Sequence, residues 1–408
     1  MQAPVASACT DRARSSGRRD HVPGDVRSGT RTPDTEEVCT LASMSAPNQR
    51  GPRLRELGLR IGRFDAGAAN AISDVTGVTV GHVTVWREEP EPPEGRGIAR
   101  TGITAVLPAP VETVFGAPVP AGTAVLNGSG ELTSSLVIRE WGRIETPIYL
   151  TSTHAVGRVY DGAVEVAVAS DALVGTKEFV IPVVGECDDS WLSEGRVVQV
   201  EAADVARAVS AASAGTVAEG AVGGGTGMMT KGYKAGIGTA SRVAPSIGGA
   251  VGVLVLSNFY PPPGLVMDGV PVGDLLGARS AGRATKAGSC IAVVAVDAPL
   301  SSHQLERVAR RAGLGLARCG SVGHHGSGEI FVAFAPPGRR PRGEAPKASI
   351  YSYDLNDVFE AVVDATEEAV LNALWAAPEV TGREGRVGRA LPHDDVLELL
   401  TAHGRLGG

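Results

Sequence analysis

The chain has 408 residues, of which 43% are hydrophobic and 20% charged, an ordinary composition for a globular protein. Its formal net charge of -7 argues against a nucleic-acid partner, because nucleic-acid-binding domains usually present a basic surface. No apolar run has the roughly 18 residues of a membrane-spanning helix, so no membrane partner is expected. The five cysteines form no CxxC pair, so we expect neither a disulfide framework nor a zinc site. The expected location is therefore the reducing cytoplasm.

The first 50 residues differ from the remainder of the chain. They are rich in Arg, Ser, Thr and Pro and poor in apolar residues, which predicts a disordered extension over 1–50. Met44 is a second candidate start of translation within it. A single folded domain is predicted over 51–408.

Strands and helices are mixed along that domain. Alternating β-branched residues between Ala71 and Trp86 predict a strand pair or a bent strand. Further strands are predicted at 101–108, 146–152, 178–185, 251–256, 290–296 and 329–335. Helices are predicted at 157–170, 203–213, 303–317, 354–376 and 394–402, with Ser302 as the cap of the third. Loops are predicted at 88–98, 221–242 and 260–288. Several strands are apolar throughout, which favours sheets covered by helices.

The junction between Gly288 and Ser289 is the most specific chemical feature, because it precedes an apolar run of strand length at 290–296. Glycine permits a backbone geometry in which the following hydroxyl reaches the preceding carbonyl. Attack of that hydroxyl gives an ester, whose hydrolysis releases a serine with a free α-amine. Such an amine has a pKa of about 7.7–8.0 and works as a general base near neutral pH. Taken alone, the same residues also fit an ordinary turn into a strand.

Three further polar residues stand next to predicted strands. Ser327 and Glu329 are two residues apart where a strand begins, so their side chains point to the same side and could face a nucleophile. Asn258 follows the buried run 251–256, where an amide can donate to an oxyanion. A solvated glycine loop and a turn-forming Asn are the alternative interpretations.

Metal and nucleotide sites are poorly supported by the sequence. The adjacent His324 and His325 have no carboxylate or Cys at ligand spacing. The glycine cluster at 223–227 lacks both the GxGxxG spacing and a GK[ST] motif. Other isolated histidines are predicted to be structural or on the surface, namely His82, His154 and His303. We therefore expect no metal ion and no organic cofactor.

Several long stretches, taken together in their order, indicate a family. They are AISDVTGVTVGHVTV, RTGITAVLP, VLNGSGELT, TPIYLTSTHAVG, VGGGTGM, KAGIGTASR, DGVPVG, AGSCIAVVAVDAPL, GSVGHHGSGEIFVAF and TEEAVLNAL. From about Ile61 to Leu400 the chain resembles the DmpA-type aminopeptidases, the L-aminopeptidase/D-esterase and β-aminopeptidase family of N-terminal-nucleophile hydrolases. Ordered blocks of this length are more specific than any single motif.

The resemblance implies an α/β fold, an αββα sandwich of two stacked mixed sheets flanked by helices. It also implies self-cleavage between Gly288 and Ser289. The products would be an α chain ending at Gly288, made of 51–288 with any N-terminal extension, and a β chain of 289–408. The family further implies a homo-oligomer, a tetramer of such α/β pairs.

The same resemblance assigns roles to individual residues. Ser289 matches the family's nucleophile, and Ser327 and Glu329 match the later serine and glutamate that tune it. Asn258 matches the oxyanion asparagine. Glu186, in PVVGECDDSWL, resembles the acidic residue that holds the substrate's ammonium group.

The implied activity is hydrolysis of N-terminal aminoacyl amides, short peptides or esters by a serine aminopeptidase. Two alternatives remain open: an acyltransferase of the ornithine acetyltransferase type, which shares a similar self-cleaving architecture, and a scaffold homologue that never cleaves. The sequence departs from the family at Asp188, where an aromatic residue is frequent, and at Cys290, where the residue is commonly aliphatic. Both departures bear on substrate preference.

Overall fold

Two β-sheets, stacked face to face and covered by helices, form the body of the protein in a computed structural model. It describes residues 51–260, 264–277, 288–344 and 350–406, which all belong to one compact unit. The predicted disordered extension at 1–50 lies outside the described residues, as does 278–287 within the predicted loop 260–288. None of the described helices has the length and hydrophobicity to cross a membrane.

The regular elements follow one another in a mixed order. The strands are β1 (Thr79–Glu88), β2 (Ile98–Leu107), β3 (Val119–Gly128), β4 (Arg143–Ile144), β5 (Ile148–Ser152), β6 (Val183–Cys187), β7 (Met229–Thr230), β8 (Tyr233–Lys234), β9 (Ile237–Ala244), β10 (Gly249–Asn258), β11 (Gly288–Val296), β12 (Ser327–Phe334), β13 (Val380–Thr381) and β14 (Val387–Gly388). The helices are α1 (Val111–Val114), α2 (Ser135–Trp141), α3 (Val156–Ser170), α4 (Ala202–Ser210), α5 (Val272–Leu276), α6 (Ser302–Arg318), α7 (Leu355–Trp375) and α8 (His393–Ala402).

Both main sheets are mixed. The four-stranded sheet has the order β1-β2-β5-β6, and the six-stranded sheet has the order β4-β3-β12-β11-β10-β9. The pairs β5–β6 and β11–β12 are parallel, while the other neighbours are antiparallel. β11 and β12 lie in the middle of the larger sheet, so they are covered on both faces and can be apolar throughout.

The core has three layers of apolar side chains. Ile148 and Val183 of the smaller sheet pack against Ile291 and Val332 of the larger one in the space between the sheets. Helices α6 and α7 cover the outer face of the larger sheet, and α3 and α4 cover that of the smaller one. The architecture is therefore the four-layered αββα sandwich that the resemblance implies.

Most predicted elements are confirmed, several with shifted ends. The long amphipathic helix at 354–376 is α7, and the apolar run at 290–296 is β11, which begins two residues earlier. The strand predicted at 178–185 is displaced, because β6 begins only at Val183. Ser301, not Ser302, caps α6: its side chain accepts a hydrogen bond from Gln304 N, as the N-cap residue does.

Three predictions were wrong or incomplete. The first part of the Ala71–Trp86 segment is a short 3-10 helix at Ile72–Asp74, and a single strand, β1, follows it. The predicted loop at 221–242 contains most of β9. The strand contains glycine because α7 packs directly on it and leaves no room for a side chain. A Cβ on Gly238 would lie 1.9 Å from Ala369 O. Strand β3 and helix α2 were not predicted.

Candidate active site

The ends of three neighbouring strands bring the predicted residues together. Asn258, the last residue of β10, lies opposite Ser289 of β11 in the antiparallel ladder. On its other side Ser289 lies beside Gly328 of β12, between Ser327 and Glu329. Residues that are far apart in sequence therefore occupy adjacent positions where three neighbouring strands of the six-stranded sheet begin or end.

Strand alternation distributes these side chains over two faces. Asn258 and Ser289 are register partners, and the alternation of each strand places both on the face between the sheets. Ser327 and Glu329 alternate with the residues of that face, and Glu329 pairs with Cys290 on the helix-covered face. The register thus brings Ser327 and Glu329 next to the backbone of Ser289, with the Ser289 side chain on the opposite face.

Ser327 and Glu329 contact each other directly. The Ser327 hydroxyl donates a hydrogen bond to Glu329 Oε1. Glu329 is fully buried, and burial raises the pKa of its carboxyl above the usual value, although the bond from Ser327 opposes this. Glu329 Oε2 is buried and has no hydrogen-bond partner among the described residues. This carboxyl can accept one further donor.

The side-chain amide of Asn258 is oriented at both ends. Its Oδ1 accepts a hydrogen bond from Met229 N at 2.8 Å, and its Nδ2 donates to Asp188 O at 2.9 Å. An amide nitrogen carries two hydrogens, so the second remains for another acceptor. Because Asn258 is the register partner of Ser289, that donor lies next to the candidate nucleophile.

Lys234, which sequence reasoning missed, holds the segment that orients Asn258. Its buried amine donates to the carbonyls of Gly225, Met228 and Ala235, at 3.2, 2.8 and 2.5 Å. Burial lowers its pKa to about 7. The only sequence signal was a lysine inside a glycine-rich stretch, which does not reveal that its amine is buried.

Glu186 lies at the end of β6, in the other sheet, and its carboxylate reaches towards β12. Its Oε1 accepts a hydrogen bond from Glu131 N at 2.9 Å, and its Oε2 accepts one from the Thr153 hydroxyl. A Cβ on Gly130 would lie 3.0 Å from Glu186 Oε1 and 3.6 Å from Gly328 Cα, so a side chain there would crowd the Glu186 carboxylate. Burial raises the pKa of Glu186.

The backbone at Gly288 is packed tightly against the end of β10. A Cβ on Gly288 would come within 2.8 Å of Tyr260 N and 2.9 Å of Asn258 O, so a larger residue cannot be placed there without a shift. Ser289 is 7% exposed. The bond between them therefore lies in a close-packed environment at the strand end.

The described part of the chain offers no cluster of side chains suited to a metal ion. The described residues contain no group of three or more His, Cys, Asp or Glu side chains that could hold a metal ion. His324 and His325 are exposed, and the carbonyl of His324 accepts a hydrogen bond from Asn127 Nδ2 at 2.7 Å. These two residues thus belong to the loop that leads into β12.

Comparison with known sequences identifies a family and related enzymes. The pattern of peptidase family S58 matches residues 70–388. The beta-peptidyl aminopeptidase BapA of Sphingosinicella microcystinivorans is 40% identical over 396 residues, which cover 90% of this chain and 97% of that protein.

Solved structures of similar proteins share the fold. The L-aminopeptidase D-Ala-esterase/amidase of Ochrobactrum anthropi, described as a prototype of the serine aminopeptidases and a variant of the Ntn hydrolase fold, superposes with a TM-score of 0.81. It is 37% identical, and the match covers 88% of this chain and 100% of that one. A Burkholderia beta-aminopeptidase is 39% identical, with a TM-score of 0.78 and coverage of 88% and 99%. The chain therefore belongs to peptidase family S58 and is a hydrolase, a serine aminopeptidase of the N-terminal-nucleophile class.

Proposed function

We propose that the chain cleaves itself between Gly288 and Ser289, and that the freed Ser289 attacks the acyl carbon of the substrate. The observation that carries this proposal is the convergence of β10, β11 and β12, which brings Asn258, Ser327 and Glu329 next to Ser289. The close packing around Gly288 supports the cleavage step, because it restricts the backbone at the bond to be cut.

The new α-amine of Ser289 is the general base in this mechanism. A neutral amine takes the proton from Ser289 Oγ during attack and returns it to the leaving group. The pair Ser327 and Glu329 lies beside the backbone nitrogen that becomes this amine. The unpartnered Glu329 Oε2 accepts a hydrogen bond from the amine and holds it in position.

Asn258 supplies the oxyanion donor. One hydrogen of its Nδ2 is bound to Asp188 O, and the other is directed at the tetrahedral intermediate. Because the amide is held at both ends before substrate arrives, it needs no reorganisation during the reaction. One such donor contributes about 2.7–4 kcal/mol to transition-state stabilisation.

Glu186 restricts the reaction to the first residue of the substrate. Its carboxylate binds the substrate's ammonium group in a charge-assisted hydrogen bond. A Cβ built on Gly130 would lie close to both Glu186 Oε1 and Gly328 Cα. This supports the role of Glu186, because Gly328 is the register partner of Ser289.

The substrates are N-terminal aminoacyl amides, short peptides or esters. The names of the relatives support this class, since they include beta-peptidyl aminopeptidases and an L-aminopeptidase D-Ala-esterase/amidase. The chemistry of the site, a nucleophile next to an ammonium-binding carboxylate, requires only a free amino group near the scissile acyl group.

The proposal extends to location and assembly. The described cysteines Cys187, Cys290 and Cys319 are free and buried, which fits a reducing cytoplasm. Exposed large apolar side chains such as Leu136 and Phe179 support burial in a homo-oligomer, a tetramer of α/β pairs.

The test is replacement of the nucleophile. Ser289→Ala is expected to stay uncleaved and to lose at least about a thousandfold in hydrolysis of aminoacyl p-nitroanilides, since both steps need the hydroxyl. The matched control is Ser246→Ala. Ser246 is exposed and lies outside the site, and its hydroxyl donates a hydrogen bond to Asp354 O. Full hydrolytic activity in Ser289→Ala would refute the proposal.

A further inference from the structure

A small polar recess adjoins the proposed ammonium site. It has a volume of about 10 Å³ and is lined by Thr153, Asp188 and Asp189 among other polar residues. Thr153 connects it to the active site, because its hydroxyl donates to Glu186 Oε2. A cavity of this size accommodates about one water molecule, and hence one group the size of a primary ammonium.

Asp188 is fixed at the border between this recess and the active site. It follows the last residue of β6, two positions after Glu186, so the two residues are about 6–7 Å apart along the chain direction. Its backbone carbonyl accepts from Asn258 Nδ2 at 2.9 Å, and its Oδ1 accepts from Ser190 N at 2.9 Å. Asp188 is exposed, and its charge adds to the effect of burial, which raises the pKa of Glu186.

Asp189 forms the buried end of the recess. It is 6% exposed, and its Oδ2 has no hydrogen-bond partner among the described residues. Burial raises its pKa to about 7, opposed by the Thr101 hydroxyl that faces this carboxyl, and the nearby titratable groups are Asp188, His154 and Lys234. The Lys234 amine already donates to three carbonyls. Buried polar atoms normally have a hydrogen-bond partner, and a ligand cation could supply the missing one here.

We propose that Asp188 and Asp189 form a second cation subsite, which selects substrates whose N-terminal residue carries a side-chain primary ammonium. The inference rests on the proposed function, in which Glu186 binds the α-ammonium. The substrate class is that of N-terminal lysine, ornithine and their β-amino homologues. The recess has room for one ammonium group, and Thr153 joins it to Glu186.

An apolar substrate of the same shape gains nothing from this subsite. Norleucine matches lysine along the chain but has no ammonium, so the ratio of kcat/KM for lysine over norleucine p-nitroanilide isolates the charge. In the mature enzyme this ratio is expected to be about tenfold or more at low ionic strength, since charge-assisted hydrogen bonds are among the strong ones. Added salt lowers it, because the subsite is partly exposed.

The decisive variant is Asp188→Asn, which removes the charge and keeps an oxygen for Ser190 N and the backbone carbonyl for Asn258. It is expected to lower the lysine-to-norleucine ratio severalfold, since the Asp189 carboxyl stays in place. Asp171→Asn is the matched control, because Asp171 Oδ1 also accepts from a backbone N–H two residues on, that of Leu173 at 2.9 Å. This control keeps the wild-type ratio. The β-homolysine and β-homonorleucine pair is measured in parallel.

Each outcome assigns the failure to one claim. A wild-type ratio at or below unity for both substrate pairs, or a ratio that Asp188→Asn leaves unchanged, overturns the second subsite. Norleucine anilide hydrolysis that Ser289→Ala retains overturns the proposed function instead, whatever the ratio. Ser289-dependent hydrolysis with a flat ratio removes only the subsite.

Discussion

Single side chains in the site are oriented by backbone groups from other segments. Asn258 is held by Met229 N and Asp188 O, and Glu186 is held by Glu131 N. Such contacts set the direction of a polar group before the substrate binds, which is the condition for electrostatic stabilisation without reorganisation. Isosteric substitutions therefore test the chemistry of these groups with little change of shape.

Asn258→Asp tests the donor function of this side chain separately from its acceptor function. The carboxylate keeps an acceptor for Met229 N but has no hydrogen to donate to Asp188 O or to an oxyanion. We expect kcat to fall by about a hundredfold or more, since one oxyanion donor is worth about 2.7–4 kcal/mol. Steady-state kinetics on an aminoacyl p-nitroanilide measure this.

The matched control is Asn356→Asp, at an exposed position on α7. It makes the same change of charge away from the strand ends and is expected to keep the wild-type kcat. Asn258→Asp with kcat within threefold of wild type would exclude Asn258 as the oxyanion donor.

At the scale of elements, the hairpin of β7 and β8 positions the active-site edge of β10. Lys231 N donates to Phe259 O at 2.9 Å, and the Thr230 and Ser257 hydroxyls are hydrogen-bonded at 2.7 Å. Lys234 fixes this hairpin to the preceding glycine-rich turn through the carbonyls that its amine binds. The hairpin therefore links a buried amine to the orientation of Asn258.

Lys234→Met is expected to destabilise the fold by about 3 kcal/mol. Met fills the space of the lysine stem, but the carbonyls of Gly225, Met228 and Ala235 lose a buried donor, and each such loss costs about 1–3 kcal/mol before relaxation. Urea denaturation measures the change. Lys177→Met, at an exposed lysine, is the control and should stay within about 0.5 kcal/mol of wild type. Equal stability of the two variants would contradict a structural role for Lys234.

Elements with a strong local pattern could be predicted from the sequence, and those that depend on distant partners could not. The periodicity of α7 and the apolar run of β11 are local properties, so both were found. The sequence predicts a loop where β9 lies, because Gly238 is required by contact with α7, which no local pattern reveals. Ser289 and Asn258 received their roles from the family resemblance, because their local patterns also fit ordinary turns, whereas Lys234 and Asp189 emerged only when the fold was known.

At the scale of the whole molecule, the two halves on either side of Gly288 are interlocked. β11, from the second half, lies between β10 of the first half and β12, and β12 in turn pairs with β3 of the first half. The buried Glu368 on α7 forms ion pairs with Arg242 at 2.5 Å and with Arg55 at 2.8 Å. After cleavage the halves are therefore expected to remain together under native conditions and to separate only on denaturation.

The half-buried ring of His82, whose Nε2 is shielded from solvent, is expected to make stability depend on pH. Its Nδ1 is hydrogen-bonded to the Thr104 hydroxyl at 2.9 Å, and burial lowers its pKa from 6.5 to about 4. Between these values the unfolded state binds more protons, so stability falls as pH falls from about 6.5 to about 4, by at most about 3 kcal/mol. His82→Gln lacks this loss, and the difference in unfolding free energy between wild type and variant shrinks across the window.

Urea denaturation at several pH values measures that difference. His403→Gln is the control, because His403 is exposed near the end of α8 and its Nδ1 contacts Leu399 O at 2.8 Å. It should follow the wild-type pH dependence. A wild-type to His82→Gln difference that stays constant between pH 7 and pH 4 would show that His82 titrates normally in the folded protein.

The intact mass of the purified protein under denaturing conditions tests the central claim most directly. The wild type is expected to give two polypeptides, one ending at Gly288 and one beginning at Ser289, whose masses sum to that of the full chain plus one water. Ser289→Ala should give the full-length chain alone. A single full-length mass for wild-type protein that actively hydrolyses aminoacyl amides would contradict the account, because catalysis would then not require a freed Ser289 amine.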